Sequence, residues 1–187
     1  FENCEDVKEK YAIPKEKFIM LGVASVWSDR KGLSDFMKLS HKLLNDEIIV
    51  LVGIKKRIIN KLPSNIIGIE RTENVEELAK LYSLSDVLLN LTKEDSYPTI
   101  NLEAIACGTP VITYKTGGSP ESINTSTGLV VERENIEELY EKIKLLKSNT
   151  KKIYTDKCRK IAISNFNQND RFKEYIDLYE ELLQREC

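Results

Sequence analysis

The sequence is poor in the residues that most enzyme mechanisms use. It has one histidine, four cysteines, five prolines and eight glycines in 187 residues. His41, placed by pattern within a helix, reads as a surface or packing residue, so no Ser-His-Asp or Cys-His couple can be assembled within this chain. Cys4, Cys107, Cys158 and Cys187 form no C-x-x-C pair, and with a single histidine they offer no familiar zinc pattern; they read as free thiols of a reducing cytoplasm. Neither charge sign dominates: 28 basic against 30 acidic residues leaves −2, so no basic excess points to nucleic acid. The longest apolar run, residues 48–54, is too short to cross a bilayer. The start Phe1-Glu-Asn-Cys-Glu-Asp lacks the basic beginning and apolar core of a signal peptide. There is no G-x-G-x-x-G dinucleotide fingerprint, no Walker lysine motif, and no D-x-D pair to hold a metal–diphosphate complex.

What is present is a chain of ordinary globular composition, 41% apolar and 31% charged, too apolar for disorder and long enough to need no covalent or metal staple. Strand-like and helix-like segments alternate. Residues 18–24, 47–52, 65–69, 86–91, 110–114 and 128–131 read as six strands, several of them apolar on both faces. Between them, residues 32–44 carry Leu33, Phe36, Met37, Ser40, Leu43 and Leu44 at helical spacing, and residues 55–61 form a short helix. Asn74 and Asn135 each precede a Glu-Glu pair in the capping-box spacing. The first opens a helix with Val75, Leu78, Ala79 and Tyr82 inward; the second a helix with Ile136, Leu139, Ile143 and Leu146 inward. Pro98 takes the favoured first-turn position of another helix that runs to Ala106. After Ser148 the alternation ends in two helices, residues 151–165 and 169–185, the last with Phe172, Ile176, Tyr179, Leu182 and Leu183 on one stripe. Repeated strand–helix units predict an α/β fold: a Rossmann-like parallel sheet of about six strands with helices on both faces, plus C-terminal helices. The core spans residues 17–149 and the closing helices residues 150–187. Ligands of such sheets bind beyond the carboxyl ends of the strands, which directs attention to the loops after Ala24, Ile69, Leu91 and Tyr114.

Three of those loops carry suggestive side chains. Arg30 and Lys31 stand at a helix entrance, where two cations beside free N–H groups suit a phosphate, although basic loop residues are also commonly solvated charges. Glu94 and Asp95 precede the helix that Pro98 opens, where acids also complement the helix dipole. Glu103 lies inside that helix among Leu102, Ala104, Ile105 and Ala106, and a carboxylate there needs a partner: sugar hydroxyls, or a Lys or Arg. In Thr116-Gly-Gly-Ser-Pro-Glu121, Gly117 and Gly118 either let backbone N–H groups approach an anion or sugar, or form a plain turn.

The string Asp95-Ser-Tyr-Pro-Thr-Ile-Asn-Leu-Glu103-Ala-Ile-Ala-Cys-Gly-Thr-Pro-Val resembles the signature of the retaining family 4, or group 1, glycosyltransferases: E-x7-E followed by A-x-A-x-G-x-P-V. Gly117-Gly-Ser-Pro-Glu121 is similar to their G-G-x-P-E, and Lys31-Gly32 to their K-G after the first strand. The likeness covers residues 18–146, with a weaker one in the final helices. It implies one half of a GT-B enzyme, the C-terminal donor-binding domain. The N-terminal acceptor domain would then be absent from this chain and would be its natural partner.

Carried over position by position, the resemblance implies that Lys31 and Arg30 hold the donor diphosphate and that backbone N–H groups at Thr99 and Ile100 meet the phosphates. Asp95 or its neighbour Glu94 would be the catalytic acid at the sugar, and Glu103 would bind the ribose hydroxyls. Ile69 and Glu70 would flank the base, Thr92 replaces a common serine, and Gly117 and Gly118 would line the donor site. Two departures stand out: the first acid is Asp rather than Glu, and Val26 occupies the place of a usual arginine. The implied activity is transfer of a sugar, with retention, from a nucleotide-diphosphate sugar to a glycan or lipid-linked acceptor. Neither cofactor nor metal is expected. Lys, Ile and Asn are abundant, as in AT-rich bacterial genomes, where such enzymes build surface polysaccharides in the cytoplasm. Membrane contact at the inner face would come through the absent domain. The alternative is a non-catalytic Rossmann-like module that binds a nucleotide or a partner. A phosphorylase would need a pyridoxal-phosphate lysine motif, which is not seen.

Overall fold

The computed structural model describes residues 4–149 and 151–185; residues 1–3, including the start discussed above, and Cys187 lie outside the described residues. A short helix, α1 (Glu5–Lys10), precedes β1 (Phe18–Val23), a one-turn 3-10 helix (Asp29–Lys31) and α2 (Leu33–Ser40). Then come β2 (Glu47–Val52), α3 (Lys56–Ile59), β3 (Ile66–Ile69), α4 (Val75–Leu84), β4 (Val87–Asn90) and α5 (Thr99–Ala106). The chain continues through β5 (Val111–Tyr114), a second 3-10 turn (Ser119–Ser122), β6 (Gly128–Val131), α6 (Ile136–Ser148), α7 (Lys151–Asn165) and α8 (Gln168–Arg185).

The six strands make one parallel sheet in the order β3-β2-β1-β4-β5-β6. Because side chains alternate along a strand, each strand feeds two cores. Ile19, Leu21, Ile48, Val50, Leu88 and Val111 pack with Val7, Leu81, Tyr82, Ile105 and Cys158 from α1, α4, α5 and α7. Met20, Ile49, Leu51, Leu89 and Ile112 pack on the opposite face with Phe36, Leu39, Leu139, Ile143 and Leu146 from α2 and α6. Each such aliphatic side chain contributes about 1.5–3 kcal/mol on burial, so double-sided strands need no polar face. The order reverses between β1 and β4, and the crevice at such a switch point is where this sheet type accepts ligands.

Local signals decide the helix starts. Asn74 Oδ1 accepts from Glu77 N at 2.8 Å, and Glu77 Oε2 accepts from Glu73 N at 2.6 Å, one residue before the expected box partner. Asn135 Oδ1 likewise accepts from Glu138 N at 3.1 Å. Other expectations need correction. Val75 is 83% exposed; the inner face of α4 is carried by Leu78, Leu81 and Tyr82. The helix expected over 32–44 ends at Ser40, whose hydroxyl turns back to the Met37 carbonyl, so His41 follows the helix rather than lying within it. Pro98 takes the cap position of α5, one residue ahead of its first turn. α1, unannounced by the strand–helix alternation, buries Val7 against the sheet. No residue of α8 is buried: Phe172, Ile176, Tyr179, Leu182 and Leu183 are all about half exposed or more. Among the described residues, no helix is long and apolar enough to cross a membrane.

Candidate functional site

Three loops meet at the carboxyl ends of β1, β4 and β5. After β1 the chain reaches the 3-10 turn that carries Arg30 and Lys31. Gly32 ends that turn at φ 78°, and a Cβ there would lie 2.3 Å from the Leu91 carbonyl oxygen. The glycine after the lysine therefore exists to lay this turn directly on the end of β4. Two ties to the Arg30 carbonyl reinforce the contact: Lys93 N donates to it at 2.8 Å and the buried Thr92 hydroxyl at 3.5 Å.

The third loop closes over the second. A Cβ on Gly117 would lie 1.9 Å from Asp95 O, and one on Gly118 1.8 Å from Ser96 O. Gly118 N donates to Asp95 O at 3.2 Å, and Thr116 Oγ1 donates to Thr92 O at 2.8 Å. The two glycines thus press backbone on backbone and hold Asp95 in place; the Gly118 N–H is engaged within the protein rather than turned to an outside anion. Beneath them, buried Asn101 accepts from Asn90 Nδ2 at 2.9 Å and donates to Ser122 Oγ at 3.0 Å, joining α5 to the second 3-10 turn.

The result is a cavity of about 340 Å³ at the switch point, lined by Ala24, Ser25, Lys31, Asp95, Thr99 and Ile100, among others. Lys31 Nζ donates to Asp95 Oδ2 at 2.7 Å across its wall. The first turn of α5 opens onto it at Thr99 and Ile100, where helix N–H groups lack intrahelical partners. Cation, acid and helix dipole are thus concentrated at one mouth, an arrangement able to hold an anion and a hydroxyl-rich group side by side.

The remaining predicted residues are placed differently. Asp95, not Glu94, lines the cavity; Glu94 is exposed and offers its carbonyl to Arg30 Nη1 at 3.3 Å. Arg30 is exposed beside the mouth, and Thr92 is fully buried as a bracket between the loops. Glu103 lies outside the apolar core: it is exposed, four residues along α5 from Thr99 and hence on the same face. Its partner is Tyr82, whose hydroxyl donates to Glu103 Oε2 at 2.9 Å. Burial, then the neighbouring Glu103 carboxylate, pushes the Tyr82 phenol far above its ordinary range, so it stays protonated and donates. Ile69 is 2% exposed and its carbonyl accepts from both Gly53 N and Ile54 N, so neither is free for a base, whereas Glu70 is exposed. Sequence reasoning missed Tyr82 as the carboxylate's partner, and it missed the cluster of carboxylates around Lys93. Among the described residues no group of three or more His, Cys, Asp or Glu side chains is placed to hold a metal ion.

A family model for glycosyl transferases group 1 matches residues 3–165. The chain belongs to the group 1 glycosyltransferases. Among relatives of this group 1 chain, an uncharacterized 41.2 kDa protein in the cps region of Klebsiella pneumoniae is 29% identical over 147 residues, covering 67% of this chain and 40% of that protein. The N-acetyl-alpha-D-glucosaminyl L-malate synthase of Bacillus anthracis is 28% identical over 137 residues, 67% of this chain and 35% of the synthase. The crystal structure of a glycosyltransferase from Rickettsia africae superposes with a TM-score of 0.84 at 27% identity, over 96% of this chain and 52% of that one. Anabaena HepE, solved in complex with UDP-glucose, shares the fold at a TM-score of 0.80 and 16% identity, over 95% of this chain and 52% of HepE. The chain therefore spans about half the length of these solved structures, and less of the curated relatives.

Proposed function

We infer that this chain is the donor-binding half of a retaining, metal-independent glycosyltransferase that takes a sugar from a nucleotide diphosphate and passes it to a glycan or lipid-linked acceptor. The observation that carries this reading is the Lys31–Asp95 pair at the mouth of a switch-point cavity onto which the α5 N-terminus opens. Departure of a nucleoside diphosphate leaves negative charge on phosphate oxygens. Lys31 and the first N–H groups of α5 are preorganised to stabilise that charge without a metal. Arg30 supplies a second cation at the rim. Asp95, once Lys31 turns to phosphate, has both oxygens open to sugar hydroxyls. Glu103, held by Tyr82 on the same α5 face as Thr99, accepts from the ribose. The fold shared with HepE, solved with UDP-glucose, supports a nucleotide-sugar donor, and the likeness to a cps-region protein supports a role in assembly of surface polysaccharide.

Positioning of the acceptor is a large part of such catalysis, and here it falls to the half of the enzyme that this chain does not span. The chain alone is therefore expected to bind donor and not to turn it over. Calorimetry with UDP, GDP and their sugar conjugates in the presence of EDTA tests the reading. The expected affinity lies in the micromolar to millimolar range, roughly −8 to −4 kcal/mol. Binding that appears only with added Mg²⁺ or Mn²⁺, or sugar transfer by this chain alone, counts against it.

A further inference from the structure

Lys93 stands next to the acid pair, yet it points away from the cavity into a cluster of carboxylates. Its side chain is only 10% exposed. Its ammonium lies 2.6 Å from Glu134 Oε1, 3.0 Å from Asp29 Oδ2 and 3.9 Å from Asp35 Oδ2. Asp35, on α2, is fully buried and is also served by Lys38 at 2.9 Å and by the Tyr114 hydroxyl at 3.1 Å. Glu134, in the turn before α6, sits at φ 61°, an uncommon conformation for a non-glycine residue, and is flanked by Arg133 at 3.4 Å. Asp29 belongs to the same 3-10 turn as Arg30 and Lys31, and its other oxygen accepts from Ser34. One ammonium thereby joins the turn that carries the cations to α2, to the β6–α6 turn and to its own loop, which carries Asp95.

The need for such a tie follows from the site itself. Without ligand, the Lys31–Asp95 ion pair is the side-chain charge link between two loops that also share the Lys93 N–Arg30 O and Arg30 Nη1–Glu94 O bonds. A ligand that engages Lys31 and Asp95 separately removes that charge link at the moment the loops must keep their spacing. Lys93 touches neither side chain, so its ties to Asp29 and Asp35 persist. We propose that Lys93 is a positioning residue of the donor site: its charge fixes the Arg30–Lys31 turn against the Asp95 loop independently of the ligand. This rests on the donor-binding reading above for its functional consequence, though not for its structural one.

The test compares the wild-type chain with K93M, K93R and D29N. Methionine keeps the apolar stem and removes the charge, arginine restores the charge, and Asp29 is exposed enough that D29N cuts one tie without threatening the fold. Amide hydrogen exchange is read over residues 28–33 and 92–97 against α4 on the opposite face of the sheet, and UDP affinity is read by calorimetry. In K93M, or in D29N if K93M does not fold, both loop segments should exchange faster while α4 is unchanged. UDP affinity should fall about tenfold, or about 1.4 kcal/mol, and K93R should recover both. Unchanged loop exchange in a folded variant overturns the proposal, as does a K93R that behaves like K93M. If the wild type binds no nucleoside diphosphate, the donor-binding reading fails while the exchange data still decide the role of Lys93.

Discussion

Two lysines at the carboxyl edge of the sheet do different work. Lys93 has three carboxylates around it, one of them wholly buried, and almost no contact with solvent. Lys31 has one partner, is 26% exposed, and borders an open cavity. The first is a charge saturated by the protein, the second a charge the protein leaves half-committed. A saturated buried charge is costly to remove, because its partners stay behind without compensation. A half-committed one is nearly irrelevant to stability and available to a ligand.

Substitution separates the two lysines. The largest effect is expected for K93M in thermal or denaturant unfolding. The close partners of Lys93, Asp29 and Glu134, are exposed, and Lys38 and Tyr114 still serve the buried Asp35, so the expected cost is about 1–2 kcal/mol, between that of an exposed and a buried pair. A loss under about 0.5 kcal/mol, the scale of an ordinary surface substitution, would erase the distinction. K31M should be the mirror image. Its stability should stay within about 1 kcal/mol of wild type, while UDP affinity falls about thirtyfold, as expected on deleting a charge-assisted hydrogen bond to phosphate.

E103Q should weaken UDP by about tenfold or more without loss of fold, since hydrogen bonds to a charged group are worth about 1.5–3 kcal/mol. Y82F should move affinity the same way by a smaller factor. In E103Q/Y82F the two losses should be less than additive, because Tyr82 acts only through Glu103. If E103Q binds UDP, GDP and other nucleoside diphosphates like wild type, the ribose role at this position is wrong.

Acidification probes the Lys93 cluster more gently. The Ser34 hydroxyl and then Lys93 hold the Asp29 carboxyl below its ordinary value, and Lys93 does the same for Glu134. A carboxylate whose folded pKa is depressed contributes stability above its unfolded pKa, about 4, and loses it as pH falls through the lower folded value. Wild type should therefore lose stability on titration below about pH 4, and K93M should show a shallower acid limb. The smallest effect is expected for D95N. Its proposed contact is to the sugar, so UDP affinity should shift by no more than about twofold, a few tenths of a kcal/mol, while UDP-sugar affinity falls. An equal fall for both ligands would move Asp95 from sugar to phosphate.

How legible these features were in the sequence depended on their range. The caps at Asn74 and Asn135 act over three residues, and a three-residue spacing is visible in any linear string. The six parallel strands were legible because strands buried on both faces read as continuous apolar runs. The inward face of α4 was misread at Val75, because a helix pattern shows that a face exists and not where the sheet beneath it ends. For α8 the stripe is there, but nothing among the described residues of this chain covers it.

By itself, the sequence determined the α/β class, the six strands along the chain, the two asparagine-capped helix starts, and the motifs that place the chain among group 1 glycosyltransferases. All of these rest on patterns that repeat over two to about ten residues, where sequence distance and spatial distance agree. Only the tertiary structure decided which of two adjacent acids lines the cavity, that Gly117 and Gly118 press on the Asp95–Ser96 backbone, and that Tyr82 steadies Glu103. It alone joined Lys93 to Asp29 across 64 residues of chain. A charge's role is set by the partners and solvent around it, and those are assembled only when the sheet folds and brings distant loops to one edge.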